Sequence, residues 1–387
     1  MKVLLTSDLN PDTVNGVIVS VLMLKQELER QGCEVKLLTL SSTRETYREG
    51  EIYYVGSIPL DAIYPDLRAS LNTRSSLVDE LITWKPDIIH SQCEFFTYSF
   101  VQRIAKHCHC PIIHTYHTQY EYYTKYVLPG NWDGFLARVM ALRLRSADVV
   151  IAPTEKTKNY LLSENICSSV RVIPTGIDLD AFSRAGTPEE MAVLRKKLGV
   201  PSSWRLYGNV GRVAQEKNLD EVLAIHQRVR EQRDDVGLLI VGDGAGMKQL
   251  KKQIEERALG ESVFLTGMVP KETVGSYYQL LDFFISASVS ETQGLTYIEA
   301  LANGRPVIAR RDDAIAHVVQ SDVNGYQYDT PEECVNILLQ LLADDALYAR
   351  WKKGAWESRD QFSKKHFGER VFALYQEQLR VAEENKG

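Results

Sequence analysis

The sequence predicts an α/β protein made of two doubly wound, Rossmann-like domains in tandem, facing each other across a cleft. Three observations lead there. Short apolar runs alternate with segments of helical period, the pattern restarts midway, and 387 residues exceed what one hydrophobic core comfortably organises.

The first half opens with "KVLLTS" (2–7), a brief apolar run that reads as a buried parallel strand. "GVIVSVLMLKQELERQG" follows with helical period and stops at Gly32. "EVKLLTL" is the next strand, and "PDIIHS" (86–91), "PIIHTYH" (111–117) and "ADVVIAPT" (147–154) continue the alternation. The pattern begins again at "RLYGNVGRV" (205–213). It then runs through the helical "NLDEVLAIHQRVREQ" to "VGLLIVGDG" (236–244), "SVFLTG" (262–267), "LDFFISAS" (281–288) and "RPVIAR" (305–310). The boundary falls in or just after "VRVIPTGIDLDAF" (170–182), and the charged stretch 183–200 reads as an exposed helix or linker. The tail from Gly368 is one amphipathic helix that dissolves into charge.

Bulk properties narrow the function. A formal net charge of −6 gives no support for nucleic-acid binding. Cys33, Cys93, Cys108, Cys110, Cys167 and Cys334 are scattered, and "CHC" at 108–110 has no second Cys/His pair at zinc-site spacing. No metal site at the cysteines, no disulfide framework and a reducing compartment are therefore expected. "MKVLLTSDLN" is too short for a signal-peptide core, and no stretch approaches a membrane-spanning length. The expected location is the cytoplasm, with contact to a membrane surface left open.

In open α/β sheets ligands bind beyond the carboxyl ends of strands, so strand-end residues are the candidates. "NPDTVNGVIVS" (10–20) is either a flexible turn or a loop whose Gly16 lets backbone N–H groups approach an anion. "GNVGRVAQEKN" (208–218) puts Arg212 and Lys217 on one loop, suited to a diphosphate unless both are merely solvated. "VGDGAG" (241–246) departs from the G-x-G-x-x-G dinucleotide fingerprint and reads as a structural turn. His117, at a strand end, is a site residue or a packing residue. In "SETQGLTYIEALANG" (290–304) Gly294 precedes a helix, so the N–H groups of Leu295 and Thr296 can face an anion. Glu291 lies before that turn and Glu299 after it, where two carboxylates could hold polyol groups on either side of a phosphate.

Together these residues resemble the E-x7-E signature of retaining glycosyltransferases of the GT-B fold, in the glycosyltransferase 4 family. The likeness covers nearly the whole chain: the Gly16 loop, His117, "NVGRVAQEKN", "VGDG" and "ETQGLTYIEALANGRPVIA". The wording of "HTYHTQYEYYTKYV" and "ETQGLTYIEA" is most similar to bacterial diacylglycerol glucosyltransferases, which make monoglucosyl-diacylglycerol from UDP-glucose at the cytoplasmic leaflet.

The resemblance implies an acceptor-side domain over 1–175, a nucleotide-sugar domain over 176–360, and a C-terminal helix, 361–387, packing back on the first. It implies that Gly16 approaches the donor phosphate and that Arg212 and Lys217 neutralise the diphosphate in place of a metal. Glu291, with the backbone at Gly294 and Leu295, would hold the donor sugar, Thr296 would also bind the donor, Glu299 would take the ribose, and His117 would align the sugar. The family often has two adjacent glycines in its first loop; here Asn15 stands in the first place. The resemblance implies no cofactor, since the nucleotide-sugar donor is a substrate. The implied partners are a UDP-hexose and a lipid acceptor, foremost 1,2-diacylglycerol. Competing readings are a GT-B transferase with a soluble or polyprenyl acceptor and a non-catalytic nucleotide-sugar-binding subunit. An anionic membrane surface is a further expected partner. It would meet Arg68 and Arg74 of "YPDLRASLNTR" (64–74). It would also meet Lys125, Arg138, Arg143 and Arg145, which stand among Trp132, Phe135, Leu136, Val139, Met140 and Leu144 of 122–145. Core packing of that segment is the alternative.

Overall fold

The computed structural model describes residues 1–12, 16–60, 68–70, 75–117, 133–167, 169–183, 186–288 and 290–384. The chain forms two units, the first Met1–Gly176 with Lys364–Gly387 and the second Ile177–Ser363. Both are α/β with parallel sheets.

In unit 1 the strands are β1 (Lys2–Ser7), β2 (Glu34–Leu40), β3 (Tyr47–Glu49), β4 (Ile52–Val55), β5 (Ile58–Pro59), β6 (Arg68–Ala69), β7 (Ile88–Ser91), β8 (Ile112–Thr115), β9 (Val149–Ala152) and β10 (Val170–Val172). The main sheet runs β10-β9-β8-β7-β1-β2-β4-β3, parallel except for β3 against β4. β5 and β6 form a separate antiparallel pair. Side-chain alternation sends Leu4 to one face and Val3 and Leu5 to the other. The second face is covered by Ile18, Val21, Leu24 and Leu28 of the helix Gly16–Arg30 and by Phe367, Val371, Leu374 and Tyr375 of the helix Lys364–Glu384. Tyr375 is tied into the sheet by a 2.6 Å hydrogen bond between its hydroxyl and His90 Nδ1.

Unit 2 contains β11 (Arg205–Val210), β12 (Val236–Val241), β13 (Val263–Leu265), β14 (Phe283–Ser286), β15 (Val307–Arg310) and β16 (Gly325–Tyr328). Their order, β13-β12-β11-β14-β15-β16, is the 3-2-1-4-5-6 arrangement of a dinucleotide-binding sheet. Its helices carry their own start signals. Thr187 and Glu190 close a capping box before Pro188–Lys197. Leu219–Arg230 has Asp220 and Glu221 in its first turn and Arg228 and Arg230 in its last, matched to the helix dipole.

In both units the chain order reverses beside the first strand, between β1 and β7 and between β11 and β14. The loops leaving those four strands flank the point where doubly wound folds bind ligands.

Candidate functional site

The loop after β11 in unit 2 is shaped from below by the "VGDGAG" turn. Gly211 N donates to Val241 O at 2.9 Å, Val213 N to Asp243 O at 2.9 Å, and Gly246 N to Val213 O at 3.0 Å. The backbones approach so closely that a Cβ added at Gly242 would fall on the carbonyl oxygen of Gly211. This motif is a structural support for the neighbouring loop, as its spacing predicts. The loop continues through Arg212 into a short 3₁₀ turn, Gln215–Lys217.

The loop after β14 meets it. Gly294 begins the helix Leu295–Ala302 in a left-handed conformation, φ 76°, with no side-chain cap. A Cβ there would stand 2.6 Å from Tyr297 Cδ2 and 2.9 Å from Ile315 Cγ2, so the turn accepts glycine and little else. The N–H groups of Tyr297 and Ile298 return to Gly294 O. Those of Leu295 and Thr296 have no hydrogen-bond partner among the described residues and carry the positive end of the helix dipole.

Lys217 Nζ lies 2.6 Å from Glu291 Oε1, joining the two loops across the switch point. Glu291 is buried and Lys217 partly so. A pair this sheltered leaves a costly lone charge if either partner is removed. Glu291 N donates weakly to Asp312 Oδ2 at 3.4 Å, which ties the acid to the segment beyond β15. Arg212 is mostly exposed and pairs with Glu216 at 2.6 Å within its own loop. Glu299, one helical stretch beyond Gly294, accepts a 2.8 Å hydrogen bond from the Tyr278 hydroxyl. Burial raises its carboxyl above the usual range, partly offset by that hydrogen bond and by Lys271.

In unit 1 the corresponding switch point is filled from within. Asp8, on the loop after β1, accepts from Phe96 N at 3.1 Å and Thr97 N at 2.7 Å, where the helix Thr97–Cys108 begins. Burial pushes the Asp8 carboxyl up, against hydrogen bonds from Thr97 and Phe96 that favour its charge. His117 follows β8, partly buried, with Nε2 2.7 Å from Gln92 Oε1. Burial lowers its pKa to about 4 and that of His114 to about 3, so both rings are neutral near pH 7. Gly16 is exposed at the start of its helix, and a side chain there would meet nothing within 4 Å, so the fold itself does not demand glycine. Asn15, beside it, lies outside the described residues.

The structure thus brings Lys217 to Glu291 and sets Gly294, Leu295, Thr296 and Glu299 around one helix start. His117 belongs to the other unit. Sequence reasoning passed over Glu216, Tyr278, Asp312, Asp8 and Gln92. Gln92 directly follows β7, so the strand-end rule would have flagged it. Tyr278 sits in a helix with no motif around it and gave no signal.

The interfacial segment falls partly outside the described residues, which include neither 118–132, with Lys125 and Trp132, nor 71–74, with Arg74. Where it is described, the core-packing alternative gains. Met140 and Leu144 are buried in unit 1, and Arg143 Nη1 donates to the carbonyl of Phe95. Arg68 is bound to Ser41 O at 2.9 Å and Ser57 Oγ at 2.7 Å. Leu142 and Arg138 remain exposed. Among the described residues no helix is long and apolar enough to cross a membrane, and no group of His, Cys, Asp or Glu could hold a metal ion. All six cysteines are free thiols.

Comparison with known proteins agrees with this architecture. Residues 14–181 match the model for Glycosyltransferase Family 4, and residues 191–358 the model for Glycosyl transferases group 1. The chain is 34% identical to alpha-monoglucosyldiacylglycerol synthase of Streptococcus pneumoniae, over 97% of this chain and 85% of that protein. It is 27% identical to the enzyme of the same name from Acholeplasma laidlawii, over 97% and 96%. Among solved structures, HepE of Anabaena in complex with UDP superposes with a TM-score of 0.75 at 17% identity, covering 97% of this chain and 99% of that one.

Proposed function

The chain belongs to the glycosyltransferase 4 family, with the GT-B fold, and we propose that it transfers glucose from UDP-glucose to 1,2-diacylglycerol with retention, forming α-monoglucosyl-diacylglycerol. The observation that carries this reading is the Lys217–Glu291 pair beside the uncapped start of the helix Leu295–Ala302. It sets a cation, a carboxylate and two N–H donors unpaired among the described residues together at a topological switch point, where doubly wound folds bind ligands. The names of the two synthases supply the product class. HepE, crystallised with UDP-glucose, supplies the donor by analogy of fold.

In this reading the diphosphate lies against the Leu295 and Thr296 N–H groups, with Arg212 and Lys217 drawn onto its oxygens. These charges are fixed before the reaction, where the leaving UDP gathers negative charge, and so they stabilise the transition state. They do the work a divalent ion would otherwise do. Glu291, released in part from Lys217, accepts hydrogen bonds from donor-sugar hydroxyls, and Glu299 takes the ribose hydroxyls. Neutral His117 aligns the sugar through one ring nitrogen while Gln92 holds the other. UDP-glucose is α-linked, so an α-glucoside product requires retention. The acceptor hydroxyl then attacks from the leaving-group side, its oxygen bonding to the anomeric carbon as the carbon–phosphate-oxygen bond breaks. Its proton passes to the departing phosphate oxygen. The enzyme works at the inner face of the cell membrane, where its lipid acceptor lies.

The test is product analysis with UDP-glucose and diacylglycerol in mixed micelles, with and without EDTA, followed by proton NMR of the anomeric signal. An α-glucosyl lipid formed equally in chelator is expected. Transfer only to soluble sugars or to polyprenyl phosphate would replace the acceptor. UDP binding without transfer to any acceptor would make the protein a nucleotide-sugar-binding subunit. Activity abolished by EDTA and restored by a divalent ion would overturn the metal-free route.

A further inference from the structure

Unit 2 carries an under-neutralised group of cations away from the loops described above. Arg195, Arg205, Arg305 and Lys352 gather around the carboxylate of Asp282 and the ring of Tyr348. Arg205 Nε lies 3.2 Å from Asp282 Oδ1, and its guanidinium stacks 4.5 Å from the Tyr348 ring centroid; Lys352 Nζ lies 5.8 Å from the same centroid. Asp282 Oδ2 is engaged by Leu206 N at 2.7 Å. The remaining acid, Asp345, sits 3.5 Å from Arg205 and is almost wholly exposed. Arg195 gives its Nη2 to the carbonyls of Pro201 and Trp204. Even so, among the described residues Arg195 Nε, Arg205 Nη2 and Arg305 Nε are buried N–H groups with no hydrogen-bond partner, and Arg205 Nε has only its ion pair with Asp282. Burial, with Arg305 and Arg205 nearby, lowers the Lys352 ammonium below its ordinary value. Two carboxylates, Asp282 and the exposed Asp345, stand beside four cations, which leaves an excess of positive charge that an added anion would relieve.

The cluster borders a cavity of about 560 Å³ within unit 2. That is room for a small organic ligand. Arg305, Lys352 and Lys353 line one part of it, and Phe182, Met191 and the half-exposed Trp356 line another. We propose that this cavity is a second anion site, taking a phosphate group on Arg305, Lys352 and Lys353 and laying an esterified apolar portion on Phe182, Met191 and Trp356. The phosphate ester comes either from a free metabolite or from a phospholipid headgroup; the recognising chemistry is the same.

The site has a physical path to the nucleotide half of unit 2. The cavity wall includes Gln279 and Asn303. Gln279 Nε2 donates to Asn303 Oδ1 at 3.3 Å, and Asn303 Nδ2 to Glu299 O at 2.9 Å. Gln279 also follows Tyr278, whose hydroxyl holds Glu299 Oε2. Occupancy therefore acts on the far end of the helix that begins at Gly294, and on the partner of Glu299. This coupling rests on the reading of Glu299 given above, whereas the site itself does not.

The experiment is calorimetry on the full chain saturated with UDP, so that the proposed donor site is filled. The probes are inorganic pyrophosphate, monomeric dihexanoyl phosphatidic acid, and vesicles with and without phosphatidic acid. Binding of dihexanoyl phosphatidic acid is expected, tighter than pyrophosphate, and weakened roughly tenfold or more by Lys352→Glu. It is expected unchanged in Lys217→Ala. Lys352 is exposed, so the substitution leaves the fold intact, and a melting curve checks this. Trp356→Ala should weaken the lipid probe and spare pyrophosphate. A Lys352-dependent response to the soluble probe alone identifies a metabolite site, and one restricted to vesicles identifies a headgroup site. No binding of any probe, or equal binding by wild type and Lys352→Glu, overturns the proposal. Loss in Lys217→Ala would assign the binding to the donor loops instead.

Discussion

The two units share a topology and treat their switch points in opposite ways. In unit 1 an acid on the loop after the first strand, Asp8, reaches the helix that follows β7, and its carboxyl occupies the N–H groups of Phe96 and Thr97. In unit 2 a cation on the equivalent loop, Lys217, reaches the acid Glu291, which precedes the equivalent helix. That helix starts on Gly294, and the Leu295 and Thr296 N–H groups have no partner among the described residues. Both helices present the same positive dipole end. One is capped by the chain's own Asp8 carboxyl; the other, in the reading proposed above, offers its donors to the diphosphate. A shared topology therefore leaves the two helix starts in different states, and the side chain on the first loop, Asp8 or Lys217, is what separates them.

The largest effect should come from breaking the unit 2 arrangement. Lys217→Ala and Arg212→Ala should each cost on the order of 3 kcal/mol in kcat/KM, as loss of an oxyanion donor does. Lys217→Ala should also lower the melting temperature of the ligand-free protein, because it strands buried Glu291, and adding Glu291→Gln should recover that loss without recovering activity. A Lys217→Ala enzyme with wild-type turnover would remove the pair from the mechanism.

Breaking the unit 1 arrangement should do the reverse. Asp8→Ala should destabilise the protein by about 2 kcal/mol, the upper range for losing a cap, while calorimetric UDP affinity stays unchanged. A fall in UDP affinity without a fall in stability would show that unit 1 also serves the nucleotide.

A finer cut separates the two acids of unit 2. Glu299→Ala should weaken UDP by roughly tenfold, about 1.4 kcal/mol. Glu291→Ala should leave UDP affinity nearly intact and damage turnover and sugar selectivity. Equal losses of UDP affinity would refute the division of labour.

The smallest effect near neutrality concerns His117. His117→Ala should reduce kcat with UDP affinity unchanged, yet kcat should show no ionisation from this ring between pH 6 and 8, since its pKa lies at about 4. Folded-state values of about 4 and 3 for His117 and His114 lie below the ordinary 6.5. Between them the unfolded chain binds more protons, so stability is complete above about pH 6.5 and falls as pH drops toward 4. A melting temperature that stayed flat from pH 7 to 4.5 would contradict this burial.

Much of this was legible in the sequence because it rests on local grammar. Buried parallel strands read as short apolar runs, and "NVGRVAQEKN" and "SETQGL" stand at strand ends, where ligands bind. The partners were not legible. The Glu216, Tyr278 and Gln92 contacts depend on which loops the sheet order brings together, and order is not written in any one segment. The cation cluster was hidden for the same reason: Arg195, Arg205, Arg305 and Lys352 are far apart in sequence, each resembling an ordinary surface charge. Met140 and Leu144 show the converse, an amphipathic pattern that fits membrane and core equally until packing chooses.

The helix Lys364–Glu384 makes unit 1 discontinuous. Its residues Phe367, Val371, Leu374 and Tyr375 complete the core beneath β1, β2 and β8, and Gly368 lies so close to Glu27 that a Cβ would stand 2.5 Å from Glu27 Cβ. Unit 2, by contrast, is one uninterrupted stretch. During synthesis the first unit to leave the ribosome must therefore wait for the second to be made before its sheet is sealed. A premature stop near residue 364 would leave the second unit whole and open the apolar underside of the first, a lesion at one terminus felt at the opposite one.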